Sequence, residues 1–139
     1  MLLAELSFDV NNDEYFYMVD NELIKLSTQK ENEIVFPAQP YTLVYPISPS
    51  LDKFREVSYS PANPVTINDF LDQVFNFYEE TATPEIISYV RAAGYPEFFI
   101  EELFKNGIIC GTIGNALGET VHFRGLEEIK TGVYKVVLE

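Results

Sequence analysis

Tryptophan is absent from the chain, and cysteine and histidine occur once each, as Cys110 and His122. One cysteine cannot close a disulfide within the chain, which excludes the disulfide-stapled scaffold of small secreted domains. One cysteine and one histidine cannot make a structural zinc site of the usual Cys/His kind. Basic residues are also scarce. Nine Lys and Arg stand against 22 Asp and Glu, for a net charge of −13. Binding a nucleic-acid backbone takes clustered cations that displace counterions. Here the bases are scattered from Lys25 to Lys135, so direct nucleic-acid binding is not expected. The same surplus of acid disfavours anionic membrane surfaces. No run approaches the roughly 20 apolar residues of a membrane-spanning helix. The opening Met1-Leu2-Leu3-Ala4-Glu5 carries no basic segment, and Glu5 interrupts it, so it does not read as a signal peptide. The expectation is a soluble intracellular protein, of cytoplasm or nucleus.

What is present is a core. The chain is 47% hydrophobic and 14% aromatic, with 11 Phe and 9 Tyr, far too rich in aromatics for a disordered chain. Its 139 residues suit one domain spanning 1–139. Leu2, Ala4, Leu6, Phe8 and Val10 alternate as a strand does. Asn11-Asn12-Asp13 reads as a turn, and the β-forming runs 14–19 and 22–26 flank Asp20-Asn21 as a hairpin would. A further short run, 33–36, ends at Pro37. Between residues 37 and 64, six prolines interleave with two short strands, 41–45 and 54–59, whose flanking prolines suit strand ends or edges.

The middle of the chain is helical. Ile67, Phe70, Leu71, Val74, Phe75 and Tyr78 form one apolar stripe at helical spacing over residues 66–80, with Phe77 at its edge. Thr66 is placed to cap it, and Asp69 three residues on completes a short capping box. The polar face carries Asp69, Asp72, Glu79 and Glu80, and the last two oppose the helix dipole. Two shorter helices follow, 84–93 opened by Thr83-Pro84, and one from Pro96 closed by Gly107. Ile108-Ile109-Cys110 reads as a short strand or the lead into the glycine-containing loop 111–118. Strands at 119–123 and 133–138 close the chain. The fold class is therefore α+β: an antiparallel sheet from the N- and C-terminal strands, packed against helix 66–80 and the two shorter helices.

The chemistry-bearing candidates each have a structural reading. Asp9, Asn11 and Asp13 start like a calcium loop, but Glu14 stands where that loop needs glycine and Asp20 where it needs glutamate. An Asx turn accounts for them. The loop 111–118 lacks the Gly-Lys-Ser/Thr ending of a phosphate loop and the spacing of a dinucleotide fingerprint, so it reads as a turn-rich connection. Cys110 lies in an apolar run, where cysteine is ordinarily an inert core residue, and His122 lies in a strand pattern, which leaves little for a nucleophilic pair. The paired acids Glu79-Glu80, Glu101-Glu102 and Glu127-Glu128 read as solvated surface. No cofactor or metal is expected.

Two segments together carry a resemblance: Pro64 to Tyr78, with its Pro-Val-Thr-Ile-Asn-Asp start, and Leu117 to Glu127 closing with Gly132 to Leu138. The chain resembles an uncharacterised domain family of fungi and large DNA viruses of eukaryotes. The usual C-terminal tryptophan of that family is missing here. The resemblance implies a fold unit and a viral origin, and no activity.

Three function classes follow. The leading expectation is a non-enzymatic protein-interaction module, whose acidic surface engages a basic partner through Asp69, Asp72, Glu79, Glu80, Glu101 and Glu102. The second is a nucleic-acid mimic that blocks a DNA-binding protein with the same acids. The third is a small enzyme using Cys110 with His122, or a carboxylate pair.

Overall fold

The structure is a computed structural model. It describes residues 6–11, 15–19, 22–25 and 32–139, with the backbone alone at 7, 15–19 and 22–25. The turn residues Asp20-Asn21 and Asn12-Asp13 lie outside the described residues. The larger sheet takes seven described strands: β1 (Leu6–Asp9), β2 (Tyr15–Val19), β3 (Glu22–Lys25), β5 (Tyr41–Pro46), β6 (Phe54–Tyr59), β10 (His122–Lys130) and β11 (Val133–Leu138). Their order is β3-β2-β1-β10-β11-β5-β6. Two small ladders stand apart, β4 (Ile34–Phe36) with β7 (Val65–Thr66), and β8 (Phe104–Lys105) with β9 (Ile108–Ile109). The described helices are α1 (Ile67–Glu79), α2 (Pro84–Ala92) and α3 (Glu97–Leu103). The α+β class expected from the pattern is what the chain adopts.

Val19 pairs with Glu22, so β2 and β3 form the tight hairpin that the run pattern predicts. The sheet is antiparallel throughout except at one junction, where β11 and β5 run parallel. The proline-rich stretch joins the sheet through that junction. Pro40 and Pro46 bound β5, so no proline interrupts its ladder.

Two boundaries differ from the sequence reading, each for a local reason, and one residue differs in burial. The helix from Pro96 stops at Leu103 rather than at Gly107, because Asn106 and Gly107 both take positive φ (54° and 78°). That is a two-residue hairpin turn of the kind Asn-Gly favours, and it folds β9 back on β8. The strand expected at 119–123 begins at His122 and continues to Lys130. A bulge between Phe123 and Gly125 shifts the alternation and hides its second half. Cys110 is exposed, not in the core.

The core lies between one sheet face and the three helices. α1 sends Ile67, Phe70, Leu71, Val74, Phe75, Phe77 and Tyr78 inward. Phe77, at the edge of the predicted stripe, is buried because it stacks on Tyr45 of β5, with ring centres 4.0 Å apart. Phe8 stacks on Phe123 at 4.7 Å and meets Phe75 edge-on at 5.3 Å. Phe70 meets Phe123 and Phe36 edge-on. Aromatic contacts of this geometry each add about 0.5–1.5 kcal/mol beyond area burial. The buried hydroxyls are satisfied. Tyr78 donates to the Pro46 carbonyl (2.9 Å), Tyr41 donates to Gln73 Oε1 (2.6 Å), and the Tyr45 and Tyr59 hydroxyls meet at 2.8 Å.

Both ends of α1 are closed. At the N-terminus the Asp69 N–H donates to Thr66 Oγ1 and the Thr66 N–H donates to Asp69 Oδ2, each at 3.1 Å, which is the predicted capping box. At the other end the loop after β9 bends under the helix. The Gly114 N–H donates to the Tyr78 carbonyl (2.9 Å) and the Ile113 N–H to the Glu80 carbonyl (2.8 Å). Gly114 comes so close to Asn11 that a Cβ there would strike the Asn11 side-chain amide and crowd the Tyr78 carbonyl. The N–H groups a phosphate loop would turn toward its ligand are turned inward here.

Two predictions follow from this packing. Gly114→Ala displaces the Asn11 side chain, breaks its bond to the Gly114 carbonyl and is expected to cost about 1 kcal/mol. A denaturation midpoint equal to that of the parent protein would contradict it. The second concerns alkali. Burial pushes the Tyr41 hydroxyl up to about 12, and burial likewise raises Tyr45, Tyr59 and Tyr78. An unfolded tyrosine ionises near pH 10. Above about pH 10 the unfolded chain releases protons that the folded chain keeps, so stability is full below that pH and falls as pH rises toward about 12. Denaturant midpoints measured across that range should hold level and then drop; a flat profile counts against the buried hydroxyls.

Candidate functional site

The six carboxylates expected to meet a partner are all exposed, and they divide between two helices. On α1, Asp69, Asp72 and Glu79 recur at helical spacing opposite the buried stripe, so they form one outward row about 15 Å long by helical rise. Asp69 has a structural task in the capping box. Asp69 and Asp72 border a shallow hollow of about 330 Å³ with Gln73 and the turn from Pro61 to Val65. Glu79 borders a smaller cleft of about 160 Å³ with Asn11, Tyr78, Thr112 and Asn115. Glu80 follows the helix as its C-cap residue. Its charge adds to the burial that raises the Tyr59 hydroxyl.

Glu101 and Glu102 stand on α3, where the surroundings differ. α3 is held at its start by Arg91, whose Nη1 donates to both oxygens of Glu97 (3.0 and 2.7 Å), an exposed pair of small energetic weight. Ile100 and Leu103 bury its inner side. Phe99 tilts against Tyr95, ring centres 4.9 Å apart. The Leu103 carbonyl accepts from the N–H groups of Cys110 (2.8 Å) and Gly111 (3.1 Å), which ties the returning strand to the helix end. Phe98, Glu101 and Glu102 are left outward at positions i, i+3 and i+4.

The β8–β9 hairpin completes this surface. Residues paired across a ladder share a face. Phe104 pairs with Ile109, which packs on the core, and Lys105 pairs with Ile108. Lys105 borders a hollow of about 400 Å³ with Phe98, Glu101, Glu102 and Cys110. Ile108 therefore lies on the hollow's side of the hairpin. Phe98 is 69% exposed, Ile108 68% and Phe104 38%. Neither Glu101 nor Glu102 has an ion-pair partner among the described residues. The sequence reading named these two acids and missed the apolar residues beside them. Phe98, Phe104 and Ile108 read as core, and only burial separates core from surface.

The remaining candidates have ordinary structural partners. Cys110 Sγ donates to the Glu102 carbonyl at 3.1 Å. His122 sits on β10 opposite Asp9 of β1, and its backbone exchanges hydrogen bonds with Glu139. No hydrogen bond joins Cys110 to His122 among the described residues. The Asn11 N–H donates to Asp9 Oδ1 at 2.7 Å, which is the Asx turn expected in place of a calcium loop. In the loop 111–118, Thr112 and Asn115 cap each other through reciprocal side-chain bonds of 3.0 Å, opening a 3₁₀ turn at Asn115–Leu117.

Comparison with protein-family models, curated proteins and solved structures found no match.

The two acids closest in sequence on α1 are predicted to behave differently. Asp69→Ala removes a capping acceptor and should cost about 1 kcal/mol. Asp72→Ala should fall within about 0.5 kcal/mol of the parent protein. Equal losses in urea titrations would show that the capping box does not act as drawn.

Proposed function

We propose that the protein is a non-enzymatic interaction module whose acidic surface engages a basic protein partner. The observation that carries this reading is the surface of α3 and the β8–β9 hairpin. Two of the six large apolar side chains exposed among the described residues stand on this surface, Phe98 on the rim of the hollow and Ile108 on the hairpin face that it shares with Lys105. Single exposed apolar residues need no explanation, whereas apolar residues gathered beside polar ones mark interaction surfaces. Glu101 and Glu102 lie among them without ion-pair partners among the described residues. An apolar centre with an acidic border suits a partner that brings apolar side chains together with Lys or Arg.

The α1 row supports the same partner chemistry more weakly. Its acids are exposed, but no large exposed apolar side chain lies between Asp69 and Glu79. Affinity in protein interfaces comes mainly from desolvated apolar anchors, with charge setting encounter rate and selectivity. The α1 row is therefore read as steering and the α3 surface as the contact.

The test is retention of partners from a lysate of the native cell at physiological salt, with quantification by mass spectrometry. Phe98→Ser is expected to reduce retention of a basic partner by about tenfold or more. Ile34→Ser, which removes another exposed apolar residue elsewhere, should change nothing. No retained basic protein, or equal retention by both variants, would defeat the reading.

A further inference from the structure

We infer that the partner segment recognised at α3 and the β8–β9 hairpin is a basic amphipathic helix. This rests on the interaction reading above and adds the shape and chemistry of what is bound.

The first argument is geometric. A segment docking on a protein surface uses either backbone pairing to a free strand edge or side chains presented at helical spacing. Backbone pairing needs a strand of useful length. β8 and β9 have two residues each, so neither edge can template an added strand. α3 instead offers Phe98, Glu101 and Glu102 on one outward face, with the acids one turn beyond the ring, about 5 Å along the axis. Ile108 shares its face of the hairpin with Lys105, which lines the hollow. A helix lying in that hollow meets groups at its own repeat, ridges against grooves.

The second argument is charge complementarity. Glu101 and Glu102 are two exposed carboxylates with no cation paired to them among the described residues. The chain around them carries a net charge of −13. The hollow's own cation, Lys105, lines it together with the acids but forms no ion pair with either among the described residues, and two carboxylates against one ammonium leave the hollow negative. A matching helix carries a large apolar residue facing Phe98 and Ile108, with Lys or Arg three or four positions away facing Glu101 and Glu102. Arg suits such a place especially, since its planar donors match a carboxylate in two bonds.

The probe is a synthetic peptide of about 18 residues, long enough to hold a helix. It is built from Leu, Lys and Ala with Leu and Lys repeating at i, i+3 and i+4. Its control is a shuffle of the same composition and charge with no helical stripe. Binding of each to the full chain is followed by fluorescence anisotropy at physiological salt. The striped peptide is expected to bind about tenfold or more tightly than the shuffle, and Glu101→Lys/Glu102→Lys should abolish that difference. Glu56→Lys/Glu128→Lys makes the same change in net charge on the sheet, at exposed acids with no part in the proposed contact, and should leave the striped peptide's affinity within about twofold. All four positions are exposed, and circular dichroism verifies that the variants fold. If both peptides bind wild type equally and Glu101→Lys/Glu102→Lys weakens both, the helix inference is overturned and the basic-partner reading survives. If the sheet variant weakens binding as much as the α3 variant, only net charge is acting and the α3 surface is overturned as the contact. If neither peptide binds wild type, both readings fall together.

Discussion

The closure of α1 by the loop after β9 is the constraint from which much of the fold follows. A helix leaves its last carbonyls without intrahelical donors. Here the N–H groups of Gly114 and Ile113 bond to the carbonyls of Tyr78 and Glu80. Gly114 eases the approach, since a side chain there would strike the Asn11 amide and crowd the Tyr78 carbonyl. Asn11 in turn donates its side-chain amide to the Gly114 carbonyl (3.0 Å), so the turn after β1 is fixed to the same loop. One knot thus joins the first described strand, the central helix and the connection that leads into β10. It also answers an electrostatic question. Glu79 and Glu80 place negative charge at the negative end of a helix dipole. Donors bonded to the terminal carbonyls offset part of that field, so the acids remain tolerable on the surface.

From that knot α1 lies across the sheet, and its aromatic residues set the contacts. Phe75 meets Phe8 on β1, Phe70 meets Phe123 on β10, and Phe77 stacks on Tyr45 of β5. Each contact reaches a different strand, so the helix spans the join between the N-terminal hairpin, the C-terminal pair and the proline-rich hairpin. The parallel pairing of β11 with β5 depends on this as well. Those strands have no short connection to bring them together; Phe36 bridges them, lying against Tyr134 of β11, Tyr41 of β5 and Phe70 of α1.

Much of this was legible in the sequence where a single period governs. The stripe from Ile67 to Tyr78 and the Thr66–Asp69 cap follow from helical spacing and known capping chemistry. The pairing of β2 with β3 follows from two β-forming runs two residues apart. Legibility failed where two signals overlap. Phe98 to Phe104 carries apolar residues at helical spacing, which conceals the Asn106-Gly107 turn inside the same frame. The bulge near Gly125 breaks the alternation that identifies a strand. Cys110 sits in an apolar run yet faces solvent, because its run is the edge of a hairpin and not a buried strand. Of the candidate site, Glu101 and Glu102 could be named as acids. That Phe98 and Ile108 would stay uncovered beside them could not, since the sequence marks a residue as apolar without saying which side of the helix the core takes.

The division between α1 and α3 has a physical basis in screening. At physiological ionic strength charges act over about 8 Å, so most of a −13 surplus is invisible to a partner already in contact. Such a surplus raises encounter rates with basic proteins in general and selects poorly among them. Selection requires charges that remain effective at contact, which means charges shielded from water by neighbouring apolar groups. Asp72 and Glu79 have no large exposed apolar neighbour on their row, and Asp69 is already bonded within the helix cap. Glu101 and Glu102 have Phe98 one turn away, with Ile108 on the facing hairpin. A partner that covers those side chains also dries the carboxylates beside them, which strengthens a well-matched cation and penalises its absence. The same acids on a bare helix face would attract every basic protein about equally. Set beside uncovered aromatic and aliphatic groups, they would discriminate on the proposed reading.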